Sequence, residues 1–162
     1  AALHSLANVA GEKRADNARV LNRQAEENFR RLIYDKASTT AKLTPSGLLL
    51  SVLQQDSEIR IAGYRVIAGG VARPWWLMEI LAKSQIIDIV IDTYGESKKT
   101  GMEARHRCCK AIHEALASSS SRELGAEFSA VASKVEEGVR RGAYGARRQS
   151  EAHQAMVITA DR

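Results

Sequence analysis

Ser57-Glu58-Ile59-Arg60-Ile61-Ala62-Gly63-Tyr64-Arg65-Val66-Ile67-Ala68-Gly69-Gly70-Val71-Ala72 is the stretch that decides the fold class. Its apolar and small residues recur three and four apart, with Ile59, Ala62, Gly63, Val66 and Gly70 on one side and Ile61, Tyr64, Ala68 and Val71 on the other. That is the period of a helix, and a helix apolar nearly all round must be covered on two faces. Glycine inside a helix costs about 1 kcal/mol relative to alanine. Gly63, Gly69 and Gly70 therefore predict neighbours that approach the helix closely. Asp56 supplies a start signal in front of it, and Arg73-Pro74 breaks the chain behind it.

Moving outward, the same period continues and strand signals are nearly absent. Ala25, Phe29, Leu32, Ile33 and Lys36 make one helix face, and Thr44-Pro45 opens a helix carrying Leu48, Leu49, Val52 and Leu53. After the break, Trp75, Trp76, Met78, Ile80 and Leu81 populate a short helix. Ser84 is placed to cap another with Ile86, Ile87, Ile89 and Val90, which Asp92-Thr93-Tyr94-Gly95 ends. From Lys99 to Ala117, the residues Ala104, Cys108, Ala111, Ile112, Ala115 and Leu116 share one arc, opposite Glu103, Arg107, Lys110 and Glu114. A last helix is predicted from Arg122 to Arg140, with Leu124, Phe128, Val131, Val135 and Val139 inward and residues 118–121 as its loop and cap.

The ends of three helices align as Val9-Ala10, Val71-Ala72 and Leu116-Ala117, at offsets of 62 and 45 residues. The second offset lies in the armadillo/HEAT range, and the first is that spacing with room for an inserted helix. The expected architecture is all-α: an armadillo/HEAT-like α-solenoid, a right-handed superhelix of short helices, in which each unit buries its apolar face against its neighbours. Residues 1–141 would be the repeats, with the last helix as a cap, and residues 142–162 a disordered tail. Ala1-Ala2-Leu3-His4 reads as the middle of a helix, so the expectation is the C-terminal part of a longer solenoid.

Composition narrows the function classes. The chain has 162 residues, 44% hydrophobic and 27% charged, with a net charge of +5, too apolar and too weakly charged to be wholly disordered. Its longest run without a charged residue, Leu43 to Gln55, is 13 residues, short of the about 20 that span a membrane. Nothing resembles a signal peptide, and the adjacent Cys108 and Cys109 give no disulfide framework. Cytosol or nucleus is the default compartment.

The basic excess is spread evenly, three charges in residues 1–100 and two in residues 101–162. Glu26 and Arg30, Glu27 and Arg31, Glu103 and Arg107, and Lys110 and Glu114 stand at i,i+4 spacing and are expected to pair. A mixed helix surface is predicted rather than a phosphate-binding stripe, so nucleic acid is not the expected partner.

No phosphate-binding glycine loop, H-E-x-x-H, C-x-x-C or G-x-S-x-G is present. A non-enzyme is expected, with no cofactor and no small-molecule substrate. His106, Cys109 and His113 form a helical stripe with zinc-type donors but no fourth ligand, so no metal is expected, and Cys108 lies in the core arc. Both tryptophans follow Pro74; Trp75, nearest the break, is expected to plug the core, which leaves Trp76 as a candidate partner anchor. Arg60, Arg65 and Arg73 line the same unit and are candidate contacts for an acidic partner, unless neighbours such as Glu58 or Glu79 neutralise them. Arg147-Arg148-Gln149-Ser150 has the form of a basophilic kinase site.

Glu58 to Ala68, then Val71-Ala72-Arg73-Pro74-Trp75, then Ile86-Ile87-Asp88-Ile89-Val90-Ile91-Asp92 resembles the C-terminal region of the 26S proteasome non-ATPase regulatory subunit 5 family. Shared are the order of an acidic-apolar helix start, a small-residue helix, a Pro-Trp break and an apolar helix ending in Asp, over about residues 55 to 117. Glu96-Ser97-Lys98-Lys99 and the Lys110-Ala111-Ile112 helix also look similar, whereas Trp76 and the basic tail depart from the family. The resemblance implies a chaperone for assembly of the proteasome regulatory particle, one that binds ATPase subunits of the base and is absent from the finished particle. The alternative from another class is a generic helical-repeat adaptor in nucleic-acid-associated or trafficking machinery.

Overall fold

The computed structural model describes residues 1–15, 19–118 and 128–145. Among them are eight helices and no strand: α1 (Ala2–Ala10), α2 (Arg23–Ser38), α3 (Pro45–Leu53), α4 (Ser57–Gly70), α5 (Pro74–Leu81), α6 (Ser84–Ile91), α7 (Lys99–Ala117) and α8 (Ser129–Arg141). The all-α expectation holds.

Local chemistry sets most of the starts. Thr44 Oγ1 accepts from the Gly47 amide at 3.1 Å ahead of Pro45. Asp56 accepts from the Glu58 and Ile59 amides, and Asn22 accepts from Ala25. Each satisfies amides that the first turn leaves without a partner. Ser84, expected as a cap, is instead the first residue of α6, and Lys83 holds the cap position without a side-chain bond. The last helix begins at Ser129, with Phe128 at its cap position. Leu124, and most of the residues 118–121 expected to cap that helix, lie outside the described residues, as do residues 146–162 and with them Arg147-Arg148-Gln149-Ser150.

α4 is covered as its composition requires, with α1 on one flank, α7 on the other, and α3 and α5 closing the rest. Its glycines mark the close approaches. A Cβ on Gly63 would stand 2.9 Å from Val52, one on Gly69 2.9 Å from the Glu12 amide and 3.1 Å from Ala10, and one on Gly70 2.4 Å from the Trp76 ring. Ile59, however, is exposed, so the buried arc of α4 runs through Ala62, Gly63, Tyr64, Val66, Ile67, Gly69 and Gly70. On α2 the inward residues are Phe29, Ile33 and Ala37, and Leu32 faces out.

α1, α4 and α7 run parallel. Arg65 meets His4 and Asn8, and Gly69, one turn later, is closed by Ala7, Ala10 and Glu12. Tyr64 lies beside Cys108, and Ala68, one turn on, borders the same cleft as Lys110 and Ala111. A second group packs behind this row, where α6 touches α3, α5, α7 and α8, and α8 also packs on α7. Gly11 ends α1 in the left-handed region, φ 99°, where a side chain would also strike the Arg19 carbonyl.

Candidate functional site

The arginines singled out from the sequence are drawn together around α4, and each is bound by a carboxylate from a distant segment. Arg60 pairs through Nε with Glu96 and donates to the Gln55 carbonyl at 3.2 Å. Glu96, buried in the loop before α7, also accepts from Tyr64 Oη at 3.2 Å. Burial first, and the Glu96 charge second, push the Tyr64 phenol well above its ordinary range. The hydrogen bond with Glu96 is the main reason that Arg60 holds its proton more tightly than usual. Arg65 reaches Glu12 at 3.1 Å and Asn8 at 3.3 Å, and hydrogen-bonds with His4.

Arg73 is only 2% exposed. Its Nε and Nη2 donate to the two oxygens of Glu26, each at 2.7 Å, and its Nη1 donates to the carbonyls of Ala10 at 2.8 Å and Gly69 at 3.1 Å. The guanidinium also lies 5.0 Å above the Phe29 ring. Burial works against ionisation of Glu26, but hydrogen bonds from Arg73 and from the Leu21 amide outweigh it and hold its carboxyl below the usual range. Neither Glu58 nor Glu79 takes part. Glu79 accepts instead from Tyr34 Oη at 2.6 Å and from the Ser46 amide at 3.2 Å. With their donors engaged by carboxylates and carbonyls, Arg60, Arg65 and Arg73 lock helices together in this structure.

The expected i,i+4 pairs are also rearranged. Glu26 is taken by Arg73 rather than Arg30, Glu103 pairs with Lys99 at 3.9 Å, and Arg107 donates to the Glu103 carbonyl rather than its carboxylate.

The burial of the two tryptophans is the reverse of that expected. Trp76 is fully buried, stacked on Phe29 with centroids 5.9 Å apart and pressed onto Gly70, so its ring is not available to a partner. Trp75 is only half-buried, against Tyr34 at 5.9 Å and Phe29 at 6.1 Å. Position relative to the proline does not choose the inward ring. The 100° step per helical residue does, and it points the second tryptophan at α4.

Among the described residues, no three His, Cys, Asp or Glu side chains are placed to hold a metal ion. Cys109 donates to the Val135 carbonyl at 3.5 Å, and burial pushes its thiol up to about 11. Cys108, fully buried, is raised still more firmly by desolvation. His106 is lowered, by burial first and then by Arg105 and Lys110. Neither thiol is activated as a nucleophile.

Two open clefts border these residues. One, of about 180 Å³, runs between α1, α4 and α7, where Arg19, Arg107 and Lys110 face Glu12 and Glu114 over Ala68 and Ala111. The other, of about 270 Å³, has Val20, Ala72, Pro74 and Trp75 as its apolar lining and Arg23, Glu27 and Arg30 on the α2 side. Arg30 stands 5.7 Å over both the Tyr34 and Trp75 rings. Val20, Arg23, Arg30 and Tyr34 were missed from the sequence, although Arg23, Glu27, Arg30 and Tyr34 follow the 4-3-4 spacing of one helical stripe. No described helix is long and apolar enough to cross a membrane. Compared with family models, with curated proteins and with solved structures, the chain matches none of them.

Proposed function

We propose that the chain is a non-catalytic protein-binding scaffold of the armadillo/HEAT type. In this reading it acts as an assembly chaperone for the base of the 26S proteasome regulatory particle, holding ATPase subunits and leaving before the particle is complete. The observation that carries the scaffold reading is the parallel row α1, α4, α7, backed by α3, α6 and α8. Adjacent parallel helices need a return segment between them, and repeating that unit builds a solenoid whose faces are extended and rigid. The offsets of 62 and 45 residues between helix ends in the sequence support the same reading. The proteasome assignment rests on the order of the α4, Pro74-Trp75 and α6 segments, and its mechanism is shielding: a stiff surface covers an immature ATPase module until the next component displaces it.

The engagement of Arg60, Arg65 and Arg73 by carboxylates favours a protein partner over nucleic acid, because it withdraws three cations from any phosphate-binding stripe. The test is affinity capture with the tagged chain. Recovery of free base ATPase subunits without intact 26S particles is the expected result. Recovery of intact particles only, or of nucleic acid with a steep loss of binding between low and moderate salt, overturns the reading.

A further inference from the structure

We propose that the cleft beside Trp75 docks an acidic segment of a partner protein, one in which an apolar side chain sits between two carboxylates. The inference rests on the protein-binding part of the reading above and not on the proteasome assignment.

The cleft offers an apolar seat and cations to either side of it. Val20, Ala72, Pro74 and Trp75 form the seat, and Val20 is 52% exposed, a large apolar side chain left in water. Along the opposite wall run Arg23, Glu27 and Arg30, with Tyr34 continuing the stripe. Trp, Tyr and Arg beside a small concavity are the residue types that dominate binding energy at protein interfaces.

Charge decides the occupant. Glu26, which also borders the cleft, is neutralised by Arg73. Among the described residues, no carboxylate lies within ion-pairing distance of Arg23 or Arg30. Arg30 instead holds its guanidinium carbon 5.7 Å from the Tyr34 and Trp75 ring centroids, a cation–π contact that leaves its charge without a carboxylate. Glu27 lies between the two cations. A continuous run of phosphates would lay negative charge against Glu27, whereas two separated carboxylates with an apolar residue between them would not.

Spacing follows from the same helix. Arg23 and Arg30 are two turns apart, about 10 Å at 1.5 Å per residue. An extended peptide covers that distance in about three residues, at about 3.3 Å each.

The experiment titrates the full 162-residue chain with short synthetic peptides and follows the indole N–H signals of its two tryptophans by NMR. The peptides carry two glutamates three residues apart with one leucine or phenylalanine between them; controls replace the glutamates by lysine or the apolar residue by serine. The expected result is that the acidic-apolar peptide shifts the Trp75 signal and leaves Trp76 in place. Affinity should fall about tenfold in the exposed double variant Arg23→Glu/Arg30→Glu, whose circular dichroism should match wild type. The inference is overturned if no peptide moves the Trp75 signal, if the lysine peptide binds as well, if the double variant binds like wild type, or if oligouridylate displaces the peptide. Peptide binding without ATPase capture would uphold the cleft and overturn the proteasome assignment. ATPase capture with no movement of the Trp75 signal by any peptide would keep the scaffold and overturn the cleft.

Discussion

Arg73 and Arg105 are both buried, and the molecule holds them by opposite means. Arg73 reaches across 47 residues to a carboxylate, Glu26, and fills its other donors with the carbonyls of Ala10, Gly69 and Arg19. Arg105, 0% exposed, has no ion pair among the described residues. It donates to the Val90 carbonyl at 2.8 Å and to the carbonyls of Gly142 and Ala143 at 3.4 Å, and its Nε has no partner. Val90 lies in the last turn of α6 and Gly142 caps α8, so Arg105 sits at the negative ends of two helices and satisfies carbonyls that their ladders leave open. Charge is therefore used differently in the two regions: an ion pair ties α2 to the α4–α5 corner, while helix-end dipoles tie α6, α7 and α8 together.

The sharpest way to break this contrast is to remove the anion. Glu26→Ala leaves the Arg73 guanidinium buried without a counter-charge and should cost about 3–5 kcal/mol in urea unfolding. At the same corner, Gly70→Ala would gain helix propensity on a free surface, but here the new methyl meets the Trp76 ring at 2.4 Å. Overpacking should win and destabilise by up to about 3 kcal/mol, and a gain in stability would show that the corner is loosely packed. Arg105→Met strands carbonyls rather than an opposite charge, so about 1–3 kcal/mol is expected. A loss equal to that of Glu26→Ala would erase the distinction.

The pH dependence separates the two regions further. The folded pKa of His106, beside Arg105, lies below its ordinary 6.5, because burial and then the neighbouring cations disfavour its charged form. Its contribution to stability is complete above about pH 6.5 and is lost as the pH falls below that value. Glu26 is also lowered, from 4.5, so the Arg73 side keeps its contribution until the pH falls through the carboxylate range. Urea unfolding across pH should show an upper decline removed by His106→Asn and a lower one reduced by Glu26→Ala. The smallest effect belongs to Glu137, whose pairs with Arg140 and Arg141 are on the surface. Glu137→Gln should leave the melting temperature unchanged, because water and salt screen such pairs.

Much of the helical framework was legible along the chain. Thr44-Pro45, Asp56-Ser57 and the run Lys99 to Ala117 mark helices by chemistry that acts within one turn, and the structure starts α3, α4 and α7 at those signals. The glycines of α4 were legible as close contacts because a helix keeps glycine at a cost. The cleft was only half legible: the stripe Arg23, Glu27, Arg30, Tyr34 is present in the spacing, but the α5 wall opposite it is not.

Local signals were enough for the all-helical character of the described residues and for a small-residue central helix, because caps and periodicity act over three or four residues. The partners of Arg60, Arg65 and Arg73, and which tryptophan turns inward, were settled by packing. The carboxylates lie 36, 53 and 47 residues away, and one helical step of rotation separates a buried indole from an open one. Contacts over such separations depend on how the helices cross, which no short window of residues encodes.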